Sequence, residues 1–217
     1  QTYVPNLLVT KTALGTNLSI RGIGSGENQG FEQSVGTYVD GVYHGRAQQS
    51  RIPFLDLERV EVLRGPQSTL FGKNSIAGAI NILTAQPTDF PEPELSLLYE
   101  PDFNESKLDG FISGPLTTTL SGRLSVRWRE LDGYMTNLTI NRTEAQREER
   151  AVRGTLSWSP TENLDVTLKL ETGTFDEGPV LFAGASYEAG VPTEATYQFN
   201  SWRLGYRYQF KDGERWK

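Results

Sequence analysis

Residues 57–66 have the sequence LERVEVLRGP, and two further segments follow, LFG at 70–72 and GAINI at 78–82. The valines of the first segment and the isoleucines of the last alternate with polar or small residues, and this period of two predicts strands with one covered face. Between them, Pro66 predicts the first turn of a short helix and Gly72 predicts its end, because proline suits a first helical turn and glycine adopts the left-handed exit. The stretch therefore predicts strand, turn, short helix and strand.

Four charged side chains crowd this small unit: Glu58, Arg59, Glu61 and Arg64. A free-standing soluble domain gains little from such a cluster, because surface ion pairs add little stability. A body enclosed in a polar cavity can hold the cluster more readily. The charges therefore predict a small domain inside a larger polar enclosure.

The longer stretch LERVEVLRGPQSTLFGKNSIAGAINI at 57–82, with LSIRGIGSG at 18–26 and VGTYVDGVYHGR at 35–46, resembles the plug domain of TonB-dependent outer-membrane receptors. The resemblance covers about residues 5–86, and it is specific because several spaced motifs occur in the family's order. It implies an α+β plug domain followed by antiparallel strands of a transmembrane β-barrel, with about 22 strands in the full protein and about six here.

Composition alone leaves a soluble globular protein open. The chain has 217 residues, no cysteine, one histidine and a formal net charge of −6. Without thiols it forms no disulfide and no thiolate metal site, and no apolar run approaches the roughly 18 residues that a membrane helix needs. The acidic balance and the lack of a basic stripe disfavour nucleic-acid binding.

The second half of the chain argues against a soluble globule. In residues 120–131, leucine, valine and tryptophan fall on one strand face and three arginines fall on the other, and similar alternation recurs at 151–158 and 164–171. A soluble sandwich shows the same period, but strands of about 10 residues with short turns alternating with long loops are typical of transmembrane barrels. The short turns are predicted at 115–119 and 159–163, and the long loops at 132–149 and 173–195.

We predict three segments: a plug domain at 1–86, a crossing segment at 87–93, and the incomplete N-terminal portion of a transmembrane β-barrel at 94–217. Three prolines in the crossing segment are expected to prevent regular structure there. The predicted barrel strands are 94–100, 107–116, 120–131, 150–158, 164–172 and 197–210.

The last of these strands changes phase. Tyr197 and Phe199 fall on one face, whereas Trp202 and the aromatic residues after it fall on the other, and this predicts a β-bulge near residues 200–201. Six strands are too few to close a membrane barrel, which needs about 8, and an open sheet in lipid leaves costly unpaired edge amides. We therefore expect a fragment of a longer receptor, whose N-terminal coupling peptide lies outside this sequence.

No catalytic constellation can be assembled from the sequence. A hydrolase triad would depend on His44, the single histidine. His44 could ligate iron in an incoming chelate, but without a second histidine or a nearby carboxylate cluster it is better explained as a hydrogen-bonding residue at a hairpin tip. Asp40, next to Gly41, is better explained by turn chemistry than by catalysis. We expect no enzymatic activity, no resident metal and no cofactor, although an iron chelate can be the cargo.

The resemblance implies a lock between plug and barrel. In the family, arginines at the positions of Arg21 in "IRG" and Arg64 in "LRGP" pair with glutamates of the barrel wall and hold the plug in its resting position. The barrel partners are expected beyond residue 217. The alternative is local pairing of the two arginines with Glu58 and Glu61 inside the plug, since such ion pairs are common.

The resemblance further implies energised import of a small molecule across the outer membrane of a Gram-negative bacterium. A ferric siderophore or other iron chelate is the commonest cargo, while cobalamin, haem, glycans and peptides remain alternatives. The implied partners are the TonB–ExbB–ExbD energising complex, outer-membrane lipid and the substrate, without nucleic acid. A plugged barrel acting as a non-transport receptor, adhesin or scaffold is the competing class. The residues expected to contact substrate are Gln29, Phe31, Tyr43, His44, Arg46, Gln48 and Lys73.

Overall fold

The computed structural model describes residues 4–12, 15–25, 33–45, 54–72, 74–137, 142–177 and 195–208. The chain divides into two compact units, Gln1–Ala85 and Gln86–Lys217, and each is described by itself. Within the described ranges, no helix has both the length and the apolar character needed to cross a membrane.

The first unit contains two small sheets and one turn of helix. One sheet is antiparallel with the order β1-β2-β3, and the other has the order β5-β4-β7-β6. In the second sheet β4 and β7 run parallel, whereas the pairs β4–β5 and β6–β7 are antiparallel. The elements are β1 Leu7–Thr12, β2 Gly15–Ile20, β3 Ile23–Gly24, β4 Val35–Val39, β5 Val42–His44, β6 Leu57–Arg64, α1 Ser68–Phe71 and β7 Gly78–Thr84.

An apolar cluster joins the two sheets of this unit. Leu18 and Ile20 from β2 pack with side chains from β4 and β7, and Val62 of β6 lies against the cluster. Val60, on the edge strand β6, is 46% exposed. The predicted strands at the opening stretch are confirmed, although only part of the predicted apolar face is covered. The buried members are Leu18, Ile20, Val35, Val39, Ala77, Ile80 and Ile82.

The helix between β6 and β7 differs from the prediction at its start. It begins at Ser68, after Gln67 at the N-cap position, so Pro66 precedes the helix and does not form its first turn. The predicted end is confirmed, because Gly72 takes a φ of 72° that favours glycine. The result is a single turn, Ser68–Phe71.

A tight turn at Asp40 and Gly41 joins β4 to β5. Both residues have positive φ, 48° and 79°, as a two-residue hairpin turn requires. The carboxylate of Asp40 also accepts hydrogen bonds from the backbone N–H of Thr84, at 2.9 Å, and from its hydroxyl, at 2.8 Å. Turn chemistry at Asp40 is therefore confirmed, and His44 lies in strand β5 and not at the hairpin tip.

We expect Asp40→Ala to lower the unfolding free energy by about 2 kcal/mol, because the buried Thr84 loses hydrogen bonds to a charged acceptor. Asp40→Asn keeps one acceptor oxygen and should lose less. The measurement is thermal unfolding of the full-length protein in detergent, with Asp89→Ala as an exposed control. Equal midpoints for Asp40→Ala and Asp89→Ala would contradict this role.

The second unit is a six-stranded antiparallel sheet with the order β15-β14-β13-β10-β9-β8. All six barrel strands predicted from the sequence are present, and the turn between β9 and β10 and that between β13 and β14 are as tight as expected. A short hairpin, β11 with β12, lies inside the predicted loop at 132–149 and was missed. The elements are β8 Glu92–Glu100, β9 Glu105–Pro115, β10 Leu120–Leu131, β11 Met135–Asn137, β12 Arg142–Glu144, β13 Arg147–Thr161, β14 Leu164–Glu177 and β15 Ala195–Tyr208.

Two expectations about this sheet are wrong. Residues 87–91 lack regular structure, as expected, but strand β8 begins at Glu92 and includes Pro93, because proline is tolerated at the start of a strand. The predicted bulge near residues 200–201 is absent from the described pairing, since β15 runs against β14 without a register shift from Ala195 to Tyr208. Residues 197 and 199 therefore occupy register positions on the polar face of the sheet, where aromatic residues also occur in neighbouring strands.

Candidate functional site

The six-stranded sheet buries its polar face and exposes its apolar face. Arg153 is 1% exposed and Lys169 is 5% exposed, whereas Leu170 between neighbouring polar positions is 54% exposed. Soluble domains show the opposite arrangement, because burying an unpaired charge is costly and burying apolar surface is favourable. The buried polar residues of this face are Ser113, Arg123, Ser125, Glu149, Arg153, Thr155, Lys169 and Glu171, and the exposed apolar residues include Leu124, Trp128, Val152, Leu156, Trp158, Leu170 and Leu204.

Ion pairs between neighbouring strands compensate the charges of the polar face. Arg127 of β10 donates to Asp109 of β9 with Nε and Oδ1 2.5 Å apart. Arg129 donates through Nε to Glu105 at 2.7 Å and lies 3.4 Å from Glu149 through Nη1. Deeper in the face, Arg153 binds Glu171 with two parallel bonds of 3.0 Å, one from Nε and one from Nη2. The polar face is therefore a network paired across adjacent strands.

Two aromatic side chains on this face stack with arginines. The guanidinium carbon of Arg123 lies 3.6 Å from the ring centroid of Phe111, and that of Arg147 lies 5.6 Å from that of Phe175. Cation–π contact is favourable for a guanidinium removed from water. Aromatic residues therefore belong on the polar face, and this removes the reason for predicting a bulge in β15.

The exposed apolar face has tryptophan at both ends. Trp128 lies near the loop end of β10 and is 37% exposed, whereas Trp158 lies near the tight turn after β13 and is 48% exposed. Amphipathic rings at the two ends of an apolar band are typical of membrane interfaces. The sheet has the surface of a transmembrane barrel wall, with lipid on the apolar side and a polar lumen on the other.

We expect Arg153→Leu to destabilise the full-length protein by about 3–5 kcal/mol, because it leaves Glu171 buried and unpaired. The double variant Arg153→Leu/Glu171→Leu should recover most of this loss. Arg150→Leu is the matched control on the same strand, since Arg150 is 65% exposed and pairs with the exposed Glu148; it should cost at most about 1 kcal/mol. The three variants are compared by their unfolding temperatures in detergent. If Arg150→Leu proved as unstable as Arg153→Leu, the assignment would be contradicted.

In the first unit, three aromatic rings connect the hairpin β4–β5 to helix α1. The ring centroid of Tyr38 lies 5.3 Å from that of Tyr43 and 4.6 Å from that of Phe71. The hydroxyl of Tyr38 donates to the backbone carbonyl of Phe71 at 2.5 Å. Burial raises the pKa of the Tyr38 hydroxyl above its usual range, so it keeps the proton that this bond requires.

The structure places two of the predicted substrate residues. Tyr43 and His44 lie on β5, on opposite faces of the strand, and both side chains are partly buried. His44 is opposite Thr37 of β4, whereas Tyr43 is opposite Tyr38. The other predicted substrate residues, Gln29, Phe31, Arg46, Gln48 and Lys73, lie outside the described residues.

The predicted lock residues separate into two groups. Arg21 lies in the turn between β2 and β3 and Arg64 ends β6; both are exposed, and neither forms an ion pair with another described residue. Glu58 and Glu61 instead both bind Arg59. The local alternative, in which the two glutamates hold Arg21 and Arg64, is therefore not found in the described structure.

Arg59 was missed as the partner of these glutamates, although the spacing offered a signal. Arg59 and Glu61 are two residues apart on one strand and so share a face, and their Nε and Oε1 atoms are 2.7 Å apart. Asn81 of β7 is opposite Glu61 and donates to its other oxygen at 2.9 Å. The hydrogen bond from Arg59, and then that from Asn81, lower the pKa of the Glu61 carboxyl.

The contact between Tyr38 and Phe71 was also missed, because the two residues are 33 residues apart and only the folded chain brings them together. Among the described residues, no group of three or more histidine, aspartate or glutamate side chains is arranged to hold a metal ion.

The family model described as "TonB-dependent Receptor Plug Domain" matches residues 1–79. Residues 1–79 are a TonB-dependent receptor plug domain. The sheet that follows this plug domain has the antiparallel strands of the receptor's barrel wall. The chain is 33% identical over 155 residues to the ferric enterobactin receptor PirA of Pseudomonas aeruginosa, and the match covers 64% of this chain and 20% of that receptor. It is 35% identical over 127 residues to the pesticin receptor of Yersinia pestis, covering 57% of this chain and 18% of that receptor.

Two solved receptor structures show the same fold. The ferric yersiniabactin uptake receptor FyuA from Yersinia pestis matches with a TM-score of 0.84 and 22% identity, over 96% of this chain and 35% of that one. The siderophore receptor PirA from Acinetobacter baumannii matches with a TM-score of 0.71 and 20% identity, over 96% of this chain and 34% of that one. This chain thus spans about a fifth of the length of the curated relatives that it matches.

Proposed function

We propose that this chain is the plug domain and the first barrel strands of a receptor that imports a ferric siderophore, or another iron chelate, across the outer membrane of a Gram-negative bacterium. The observation that carries the proposal is a plug domain followed by a sheet with a buried charged face and an exposed apolar face. The names of the relatives support the cargo class, since they include a ferric enterobactin receptor and a ferric yersiniabactin uptake receptor.

The proposed division of labour follows the predicted segments. Residues 1–86 act as the plug, 87–93 as the crossing segment and 94–217 as part of the barrel wall. Cargo binds on the outer side, between the plug tips and the extracellular loops. The TonB–ExbB–ExbD complex then pulls on the N-terminal coupling peptide and displaces the plug, which opens the path to the periplasm.

The hairpin β4–β5 and the segments around it are proposed to contact the cargo. Tyr43 offers a ring for stacking and His44 an imidazole, while Arg46 and Lys73 offer positive charge to an anionic chelate. Gln29, Phe31 and Gln48 complete the proposed contact set. This role requires no covalent chemistry and no resident cofactor, because iron arrives and leaves within the cargo.

Arg21 and Arg64 are proposed to hold the plug in its resting position through glutamates of the barrel wall beyond residue 217. Their exposure and their lack of an ion pair with any described residue support this role, because a lock needs arginines that are not already paired within the plug. Glu58 and Glu61 then serve to position Arg59 on strand β6, and not to neutralise the lock arginines.

We test this with the full-length receptor expressed in a Gram-negative strain that lacks its own siderophore receptors. These cells should import ⁵⁵Fe supplied as ferric enterobactin or ferric yersiniabactin. Import should stop when TonB is deleted, whereas binding to the cells should persist. Binding without import in the TonB-positive strain would favour the non-transport receptor. If the cells neither bind nor import any iron chelate, iron chelates are excluded as the cargo.

We expect the double variant Arg21→Ala/Arg64→Ala to let vancomycin, a large polar antibiotic, enter cells through a loosened plug even without TonB. Losing one partner of a buried ion pair costs about 3–5 kcal/mol, enough to populate a displaced plug. Arg59→Ala is the matched control, because Arg59 is an exposed arginine of the same unit that is already paired locally. Equal vancomycin sensitivity of the double variant and the control would contradict the lock.

A further inference from the structure

Tyr38 is the one described side chain seen to contact both the hairpin β4–β5 and helix α1. Its ring packs on Tyr43 of β5 and on Phe71 of α1, with centroid distances of 5.3 Å and 4.6 Å. Its hydroxyl donates to the carbonyl oxygen of Phe71 at 2.5 Å. A helix of one turn leaves its last carbonyls without intrahelical partners, so this bond satisfies one of them.

Two glycines leave the space that these rings occupy. A Cβ atom at Gly36 would lie 2.7 Å from Cε2 of Tyr38, and a Cβ atom at Gly45 would lie 2.7 Å from Cε1 of Tyr43. Any larger residue at either position would have to displace a ring. The hairpin backbone is therefore fitted closely around the aromatic cluster, and a shift of the hairpin must move the rings.

Hydrogen bonds close the segment after Arg64 into a loop. This loop contains helix α1, and Tyr38 donates a hydrogen bond to Phe71 of that helix. The backbone N–H of Gly65 donates to the carbonyl of Ala77 at 3.1 Å, and that of Gln67 donates to Ser75 at 3.0 Å. The hydroxyl of Ser75 donates to the carbonyl of Gly72 at 2.8 Å. Movement of α1 is therefore passed through these bonds to the base of the loop, next to Arg64.

We propose that Tyr38 is a positioning residue that couples the hairpin β4–β5 to helix α1 and, through the closed loop, to the segment next to Arg64. This inference rests on the proposed function, in which the hairpin contacts cargo and Arg64 holds the plug. Cargo that shifts Tyr43 would shift Tyr38 and loosen or tighten α1. The main effect of the coupling is on plug release, and cargo affinity changes only as far as cargo itself shifts α1.

The first test needs no cargo and uses hydrogen exchange on the purified full-length receptor. The amides of Phe71 and Gly72 donate to Gln67 and Ser68 within α1, so they report its opening. Tyr38→Phe keeps the ring and removes the bond to Phe71, and the two amides should exchange about fivefold faster, the equivalent of one neutral hydrogen bond. Tyr99→Phe is the matched control, because Tyr99 is 67% exposed on strand β8.

A second exchange measurement tests the coupling itself. Tyr43→Leu alters the hairpin side of the cluster and should speed exchange at Phe71 and Gly72 in the wild-type background, but it should add little in the Tyr38→Phe background. Additive effects of the two substitutions would overturn the coupling, because independent sites add.

The third test separates positioning from a merely structural role. Tyr38→Phe should leave the binding of ferric enterobactin and ferric yersiniabactin to unenergised cells within about twofold, while TonB-dependent import falls about fivefold, the factor set by the lost bond. An equal fall in binding and import, or unchanged import, would overturn the role in release. If the wild-type receptor imports no iron chelate, the proposed function fails, and the exchange measurements alone decide the coupling.

Discussion

The structure of the second unit depends on ion pairs between buried charges on one face of its sheet. Arg153 and Glu171 are 2% and 5% exposed at the side chain, and two parallel hydrogen bonds join them. An unpaired charge at such a position would cost several kcal/mol. Because these ion pairs neutralise the charges of the polar face, the middle of the opposite face can be apolar, as contact with lipid requires. The exposed Leu124, Leu156 and Leu170 are thus a requirement of the environment and not a defect of packing.

The plug unit follows the ordinary rule, with a small apolar core between two sheets and charged groups outside it. Two further sets of contacts stabilise this unit in addition to the core. Asp40 joins the hairpin turn to the end of β7, and the aromatic cluster joins the same hairpin to α1. Arg21 and Arg64 take no part in these contacts. Arg21 is exposed in the turn between β2 and β3, and Arg64 is exposed at the end of β6. The contacts that hold this unit together are therefore separate from these two exposed arginines.

Much of the fold could be predicted because period-two patterns and turn residues are local signals. The six barrel strands, the strands at 57–64 and 78–84, and the Asp40 turn all follow from residues that are close in sequence. The predictions that were wrong needed information from a neighbouring strand. Aromatic residues fit the polar face because arginines such as Arg123 on the neighbouring strand lie beside them. The helix start at Ser68, two residues after Pro66, likewise depends on the loop closure between Gln67 and Ser75.

The sequence by itself determined which side chains share a strand face, where the hairpin turns fall, and that one half of the chain is a plug domain and the other a set of barrel strands. Only the tertiary structure decided which partners meet. Arg59, and not Arg21 or Arg64, binds Glu58 and Glu61, and Tyr38 reaches Phe71 across 33 residues. The physical reason is that alternation fixes the direction of a side chain relative to its own strand, whereas ion pairs and ring contacts depend on register and on which strands become neighbours.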